Sequence, residues 1–358
     1  MFVGGEFYYD GQWKTAKRML STENMYFLSG GTACLIVISD YLIDHGINRM
    51  LLPSYLCPSI VNILEQNGVG CSYYQVNRDF SIDLDDLSSQ LTNKQAVYFI
   101  NYFGFTHPPT TQDFFKTLQQ KGVIIIEDNA QAGFTSNPIG DFVLNSMRKL
   151  VPFDGGYLIS EHDMQPYLHR YHGRPNRRLP VIREYRKKLY SYLIEGNGKY
   201  EKLVDLFNSS EQFYDIDRTV LGDILEREKI EHLDWVGIKQ ARRENYRYLL
   251  ASLVNIPEIS VIFPNLPEAI MPLGLPVYLN GVSRDRVNEE LGNSEIGLSI
   301  HWDELLNDPR TNSNHIAFEM ANSMLTLTID QRTTHGQLDY LVQKLCDGIS
   351  VARKSGSN

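Results

Sequence analysis

Four cysteines in 358 residues (Cys34, Cys57, Cys71 and Cys346) are too few and too scattered for a disulfide framework or a metal site. Long apolar runs are missing as well. Stretches such as Ala33 to Ile38 fall far short of the about 20 residues that a membrane helix requires. Cations are in the minority, with 34 Lys and Arg against 43 Asp and Glu, a formal charge of −9. A chain this acidic is poorly suited to general nucleic-acid binding, which favours a basic domain. Met1 to Lys17 carries no apolar core of signal-peptide length. The expectation is a cytoplasmic protein with reduced thiols.

A composition of 42% hydrophobic and 22% charged residues is that of an ordinary globular protein, and the length has room for roughly two domains. Through the first 160 residues, apolar runs alternate with helical patterns. Met50 to Pro53, Cys71 to Val76, Ala96 to Ile100 and Val123 to Ile126 read as strands; 32–45, 57–67, 83–91 and 111–121 read as helices. Strands separated by helices of this length imply βαβ units and a mainly parallel sheet. Several runs are apolar on both faces, as expected where helices cover both sides of the sheet. Later come a long helix at about 231–253, short strands at Leu275 to Leu279 and Ser323 to Ile329, and a last helix near 335–350. Ala352 to Asn358 reads as a frayed tail. The expected division is a large domain, 1–235, and a small α+β domain, 236–358.

Three separated pieces carry the chemistry. Gly30-Gly31-Thr32-Ala33 opens a helix, and the free N–H groups of a Gly-rich helix start suit a phosphate. Read alone, it is equally a plain helix start. Asp128 ends the apolar run Val123 to Ile126, where an open α/β sheet places its ligands, or else it caps a loop. Gln131 is a surface polar residue or a hydrogen-bond partner. Lys149 lies twenty-one residues after Asp128 and just before Gly155-Gly156; alone, it reads as a solvated lysine. The order of the three is the signal. Pyridoxal phosphate (PLP) needs a lysine amine to hold it and a carboxylate against its ring nitrogen. Burial and the neighbouring Arg148 would both push the Lys149 amine down, leaving it neutral often enough to react.

On these pieces, with Leu52-Pro53-Ser54-Tyr55, Asn101-Tyr102-Phe103-Gly104, Ser146 to Gly156 and Thr328-Ile329-Asp330-Gln331-Arg332, the chain resembles the DegT/StrS-type sugar aminotransferases. The resemblance implies a fold type I PLP enzyme with a mostly parallel, seven-stranded sheet in its large domain. It implies Lys149 as the cofactor lysine and Asp128 as the partner of the ring nitrogen. Gln131 falls near the ring oxygen, and Gly31, Thr32, Ala33 and Ser146 around the phosphate. An aromatic that stacks on the ring in the family falls here on Cys57, so the stacking either comes from Tyr55 or is lost. Ser146 stands three residues before the lysine rather than five, and Pro152 to Gly156 replaces a Gly-Glu-Gly-Gly, so the chain reads as a divergent branch.

The implied reaction is amino transfer to a keto sugar on a nucleotide, with an amino acid, glutamate, as donor, by a homodimer. Surface polysaccharide or secondary-metabolite sugar synthesis is the expected setting. A sugar dehydratase is one alternative, but its relatives replace the lysine with histidine. A non-catalytic PLP-fold binding protein is the other. The segment 174–188 has seven cations against Glu184 alone. It reads as a solvated helix face or as a loop, stiffened by Pro175 and Pro180, that carries Arg177 and Arg178 to a phosphate at the neighbouring subunit. His301-Trp302-Asp303 reads as a core tryptophan with a capping acid, or as a substrate contact.

Overall fold

The computed structural model describes residues 1–9, 11, 13–18, 24–309 and 314–355. Seven strands form the main sheet. Their spatial order is Met25–Leu28, Gly156–Ile159, Phe142–Leu144, Ile124–Asp128, Ala96–Ile100, Arg49–Pro53 and Gly70–Tyr74. Gly156–Ile159 alone runs against its neighbours; the other pairings in the sheet centre are parallel. Every residue of Ala96–Ile100 is buried, and so are Ile125 to Asp128, because helices cover both faces. Ile100 pairs with Asp128 and Asp128 with Leu144, so the carboxylate stands at the C-terminal edge of the sheet's middle strand.

The expected helices are present as Gly31–Asp44, Pro58–Gln66, Leu84–Gln90 and Pro109–Gln120. The helix expected at about 231–253 is present as Trp235–Leu253, and a separate helix, Ile224–Glu231, precedes it. Asp234 separates them by capping the second, its side chain accepting from the Gly237 N–H at 2.9 Å. A three-stranded antiparallel sheet (Ile259–Val261, Leu275–Leu279, Met324–Leu327) follows, contacted by Trp235–Leu253, Arg284–Asn293 and His315–Ser323, and the last helix, His335–Ser355, packs against the first two of these helices. That helix runs through most of the expected tail; residues 356–358 lie outside the described part. Val3–Gly4 pairs with Ile296–Gly297, so the chain's start is tied to its second half. Among the described residues no helix is long and apolar enough to cross a membrane.

The basic segment is not a reaching loop. It enters a helix, Arg178–Leu193, paired with a second, Tyr200–Asp217. Pro180 is tolerated because it is the third helical residue, where the N–H has no partner within the helix. Five of the seven cations are answered within the chain: Arg177 by Asp217, Arg178 by Asp154 and Glu211, Arg183 by Asp223 and Glu226, Arg186 by Asp154, Lys188 by Glu184. Most of these acids lie 23 or more residues away in sequence, beyond any local count of charge.

Candidate active site

Asp128 is buried. Its Oδ2 accepts the Tyr98 hydroxyl at 2.6 Å and its Oδ1 the Ala130 N–H at 2.7 Å. Burial pushes this carboxyl up, while Tyr98, the Ala130 N–H and the Lys149 charge hold it down. The net direction is upward: the two hydrogen bonds and the Lys149 charge favour the anion without cancelling the cost of burial. Tyr98 is a residue the sequence did not single out. It sits in a uniformly apolar strand run, where a tyrosine reads as packing.

Lys149 ends the short 3₁₀ turn Met147–Lys149, and its side chain lies on the same cavity as Asp128. Burial pushes its amine below the usual lysine range, as does the Arg148 charge; Asp128 opposes both. The backbone beyond it is anchored from several sides. Leu150 O accepts from Gln331 Nε2 at 2.9 Å, and Pro152 O from Arg186 Nη1 at 2.9 Å. Asp154 accepts from both Arg178 and Arg186, and its N–H donates to Glu226 at 2.8 Å. The Gly-Gly pair explains itself. Gly155 has φ +150°, where a Cβ would run into the Phe27 ring, and at Gly156 one would meet the Asn145 carbonyl and the Gly30 backbone. Only glycine lets this return strand pass so close to the start of helix Gly31–Asp44.

That helix begins beside the amine. Its N-cap is Gly30, which offers no side chain to the first N–H groups, and Gly31, Thr32 and Ser146 line the same cavity of about 120 Å³. A 14-residue helix with an uncapped N-terminus on a cavity suits an anion such as phosphate. Ala33 belongs to the same first turn with its methyl group in the core. Gln131 Oε1 accepts the Phe103 N–H at 2.7 Å, while its Nε2 is buried on the cavity with no partner. That unmet donor fits an acceptor oxygen from a bound molecule.

Tyr55 lies elsewhere. It is fully buried against Phe80, Tyr102 and Trp302, with ring centroids 5.5, 6.3 and 5.3 Å away. The cavity aromatics are Tyr98 and Trp302, and Cys57 lines it with Sγ 3.0 Å from Ser59 Oγ. Trp302 thus joins core and cavity, and His301 lines a second cavity on which Lys149 also lies. Asp303 opens the 3₁₀ turn Asp303–Asn307. Arg242, also on that second cavity, had no signal in the sequence beyond being one arginine of a long helix.

No protein-family model matches the sequence, and no curated protein matches it. Solved structures do match over nearly the whole chain. Helicobacter pylori PseC, an aminotransferase involved in the biosynthesis of pseudoaminic acid, aligns with TM-score 0.64 at 11% identity over 91% of this chain and 87% of its own. Spr1654 of Streptococcus pneumoniae, assigned as a sugar aminotransferase, aligns in its PLP form with TM-score 0.61 at 14% identity over 92% and 88%. DesI, solved in the presence of its TDP-sugar product, gives 0.62 at 13% over 93% and 82%. What these likenesses establish is the architecture: the chain has the α/β fold of these aminotransferases.

Proposed function

We propose that the chain is a PLP-dependent aminotransferase that moves an amino group from an amino acid to a keto sugar carried on a nucleotide. The observation that carries this reading is one cavity holding the Asp128 carboxylate, the Lys149 amine, the partnerless Gln131 amide and an uncapped helix start. The structural neighbours support it: one is in a PLP form, one was solved in the presence of its TDP-sugar product. Lysine rather than histidine at position 149 speaks against the dehydratase alternative. The division into 1–235 and 236–358 belongs to the same proposal. All strands of the main sheet lie before residue 160, and those of the three-stranded sheet after residue 258.

The residues fit the cofactor in kind. Gly31, Thr32 and Ser146 would hold its phosphate, Asp128 its ring nitrogen, Gln131 its phenolic oxygen and Lys149 its aldehyde carbon. When bound, PLP supplies an electron sink for the substrate's α-carbon. The chain supplies the rest. Asp128, whose anionic form the Tyr98 hydroxyl and the Ala130 N–H favour, would hold a proton on the ring nitrogen opposite it. Lys149 Nζ, eased toward neutrality by burial, takes the substrate proton as base and returns it as acid.

Borohydride reduction of the purified protein followed by peptide mass mapping tests the assignment. The pyridoxyl label is expected on Lys149, and the unreduced protein should show a yellow absorbance that glutamate bleaches. A label on Lys94, Lys116 or Lys121 would overturn the residue. Absence of both absorbance and label after PLP incubation would favour the non-catalytic reading.

A further inference from the structure

Of the four cysteines, Cys57 is the one that lines the candidate cofactor cavity. Cys34 is 0% exposed, and burial pushes its thiol up, which leaves it inert. Cys71 and Cys346 are half-buried elsewhere.

Cys57 sits where the chain passes from strand Arg49–Pro53 into helix Pro58–Gln66. It holds the N-cap position, yet its side chain makes no capping hydrogen bond. The thiol is turned to the cavity instead, and its polar contact is Ser59 Oγ at 3.0 Å, a bond that sulfur makes only weakly. Half-burial leaves the sulfur within reach of a small reagent. A charge on Cys57 would act on the Lys149 amine and on the Tyr98 hydroxyl, so the sulfur stands near both.

A second feature of the cavity points to a ligand without reference to the thiol. Gln131 is 1% exposed, and its Nε2 lies on the cavity with no partner. The Phe103 N–H holds the other end of that amide at 2.7 Å, so the donor end stays turned to the cavity. A buried donor left unmet is costly until a bound molecule answers it. The cavity, at about 120 Å³, is well below the about 300–1,000 Å³ typical of ligand sites. A group added to Cys57 would therefore take space that the bound molecule needs.

We propose that Cys57 is a thiol–disulfide gate on the cofactor site: the free thiol leaves the cavity open, and a mixed disulfide with a small thiol closes it. In the closing step Cys57 Sγ attacks one sulfur of a small disulfide. The reagent's S–S bond breaks and a new S–S bond joins Cys57 to one half of it. The other half leaves as a thiol, with the proton that Cys57 gives up. A small thiol in excess runs the exchange backwards. Such a gate adds regulation to the proposed aminotransferase. It rests on that reading for the identity of the molecule shut out, though not for the attachment at Cys57.

The test treats the purified chain, stripped of any bound cofactor, with 2-hydroxyethyl disulfide and then desalts it. Peptide mass mapping should find the hydroxyethylthio group on Cys57. PLP uptake, measured by equilibrium dialysis, should weaken at least about tenfold, as overfilling a tight site does. Dithiothreitol followed by desalting should restore it. Saturation with PLP before treatment should slow modification of Cys57 at least about tenfold, because the cofactor covers the sulfur. Cys57→Ser cannot form the disulfide, so treatment should leave its PLP affinity, whatever that is, unchanged even where Cys71 or Cys346 is modified. Cys57→Ala serves the same purpose if the serine variant does not fold. The gate is overturned by a Cys57 that stays unmodified, by modification equally fast with PLP bound, by full PLP uptake after complete modification, or by an equal loss in the treated variant. The two readings fail distinguishably. PLP uptake with a pyridoxyl label on Lys149 that the disulfide does not affect removes the gate alone; no uptake by the untreated protein removes the aminotransferase, and the gate with it.

Discussion

His107 takes no part in the candidate site, yet it makes the fold sensitive to acid. Its ring is buried behind Phe99, and its Nε2 lies 3.0 Å from Ile100 O, which requires the proton on that nitrogen. Burial pushes it from 6.5 down to about 4. The folded value is depressed, so the unfolded chain takes up the proton first as pH falls. The stabilisation is complete above pH 6.5 and is lost between 6.5 and 4, amounting to about 3 kcal/mol for this residue. Urea unfolding at pH 7 and pH 4.5 should show the loss, and His107→Gln, which has no proton to gain, should lose correspondingly less. Equal losses in both proteins would place the acid sensitivity elsewhere, His301 being the next group with the same direction of shift.

At the scale of elements, the helix pair Arg178–Leu193 and Tyr200–Asp217 acts as a brace on the lysine segment. Asp154, five residues past Lys149, is where it grips. The carboxylate is 7% exposed and lies between Arg178 and Arg186, both themselves buried. Removing one partner of such a cluster leaves buried charge uncompensated and typically costs about 3–5 kcal/mol. Asp154→Asn should therefore lower stability by that amount in urea unfolding. Asp154→Glu, which keeps the charge, should recover part of it. A loss below about 1 kcal/mol in the asparagine variant would mean that Glu211 at Arg178 and the Pro152 carbonyl at Arg186 suffice for the two arginines.

At the scale of the molecule, the assembly remains a proposal. The cations of 174–188 give no support to a dimer, since Arg177, Arg178, Arg183 and Arg186 are paired inside the chain. Replacing Arg177 and Arg178 by alanine would strip internal ion pairs rather than a contact to a second subunit. The family resemblance is what supports a homodimer. Light scattering after size exclusion at micromolar protein should give twice the 41.1 kDa chain mass. A stable monomer that transaminates would end the proposal, whatever the fate of the Lys149 assignment.

The sequence by itself determined the order of strands and helices from residue 31 to residue 128, though not the strands Val3–Gly4 and Met25–Leu28, because buried strands leave continuous apolar runs and their boundaries carry Gly, Pro and Asp. It also marked Asp128 and Lys149, since chemistry demands those residue types and the motif spacing is local. Tertiary structure decided what local spacing cannot encode. Strand order puts Tyr98 against Asp128 across thirty residues. Chain return from residues 211–226 turns an apparent cationic arm into a buried brace. Packing took Tyr55 into the core and brought Arg242, ninety-three positions from Lys149, onto the lysine's second cavity. Each of these depends on which distant groups share one buried volume, and that is settled only when the chain closes on itself.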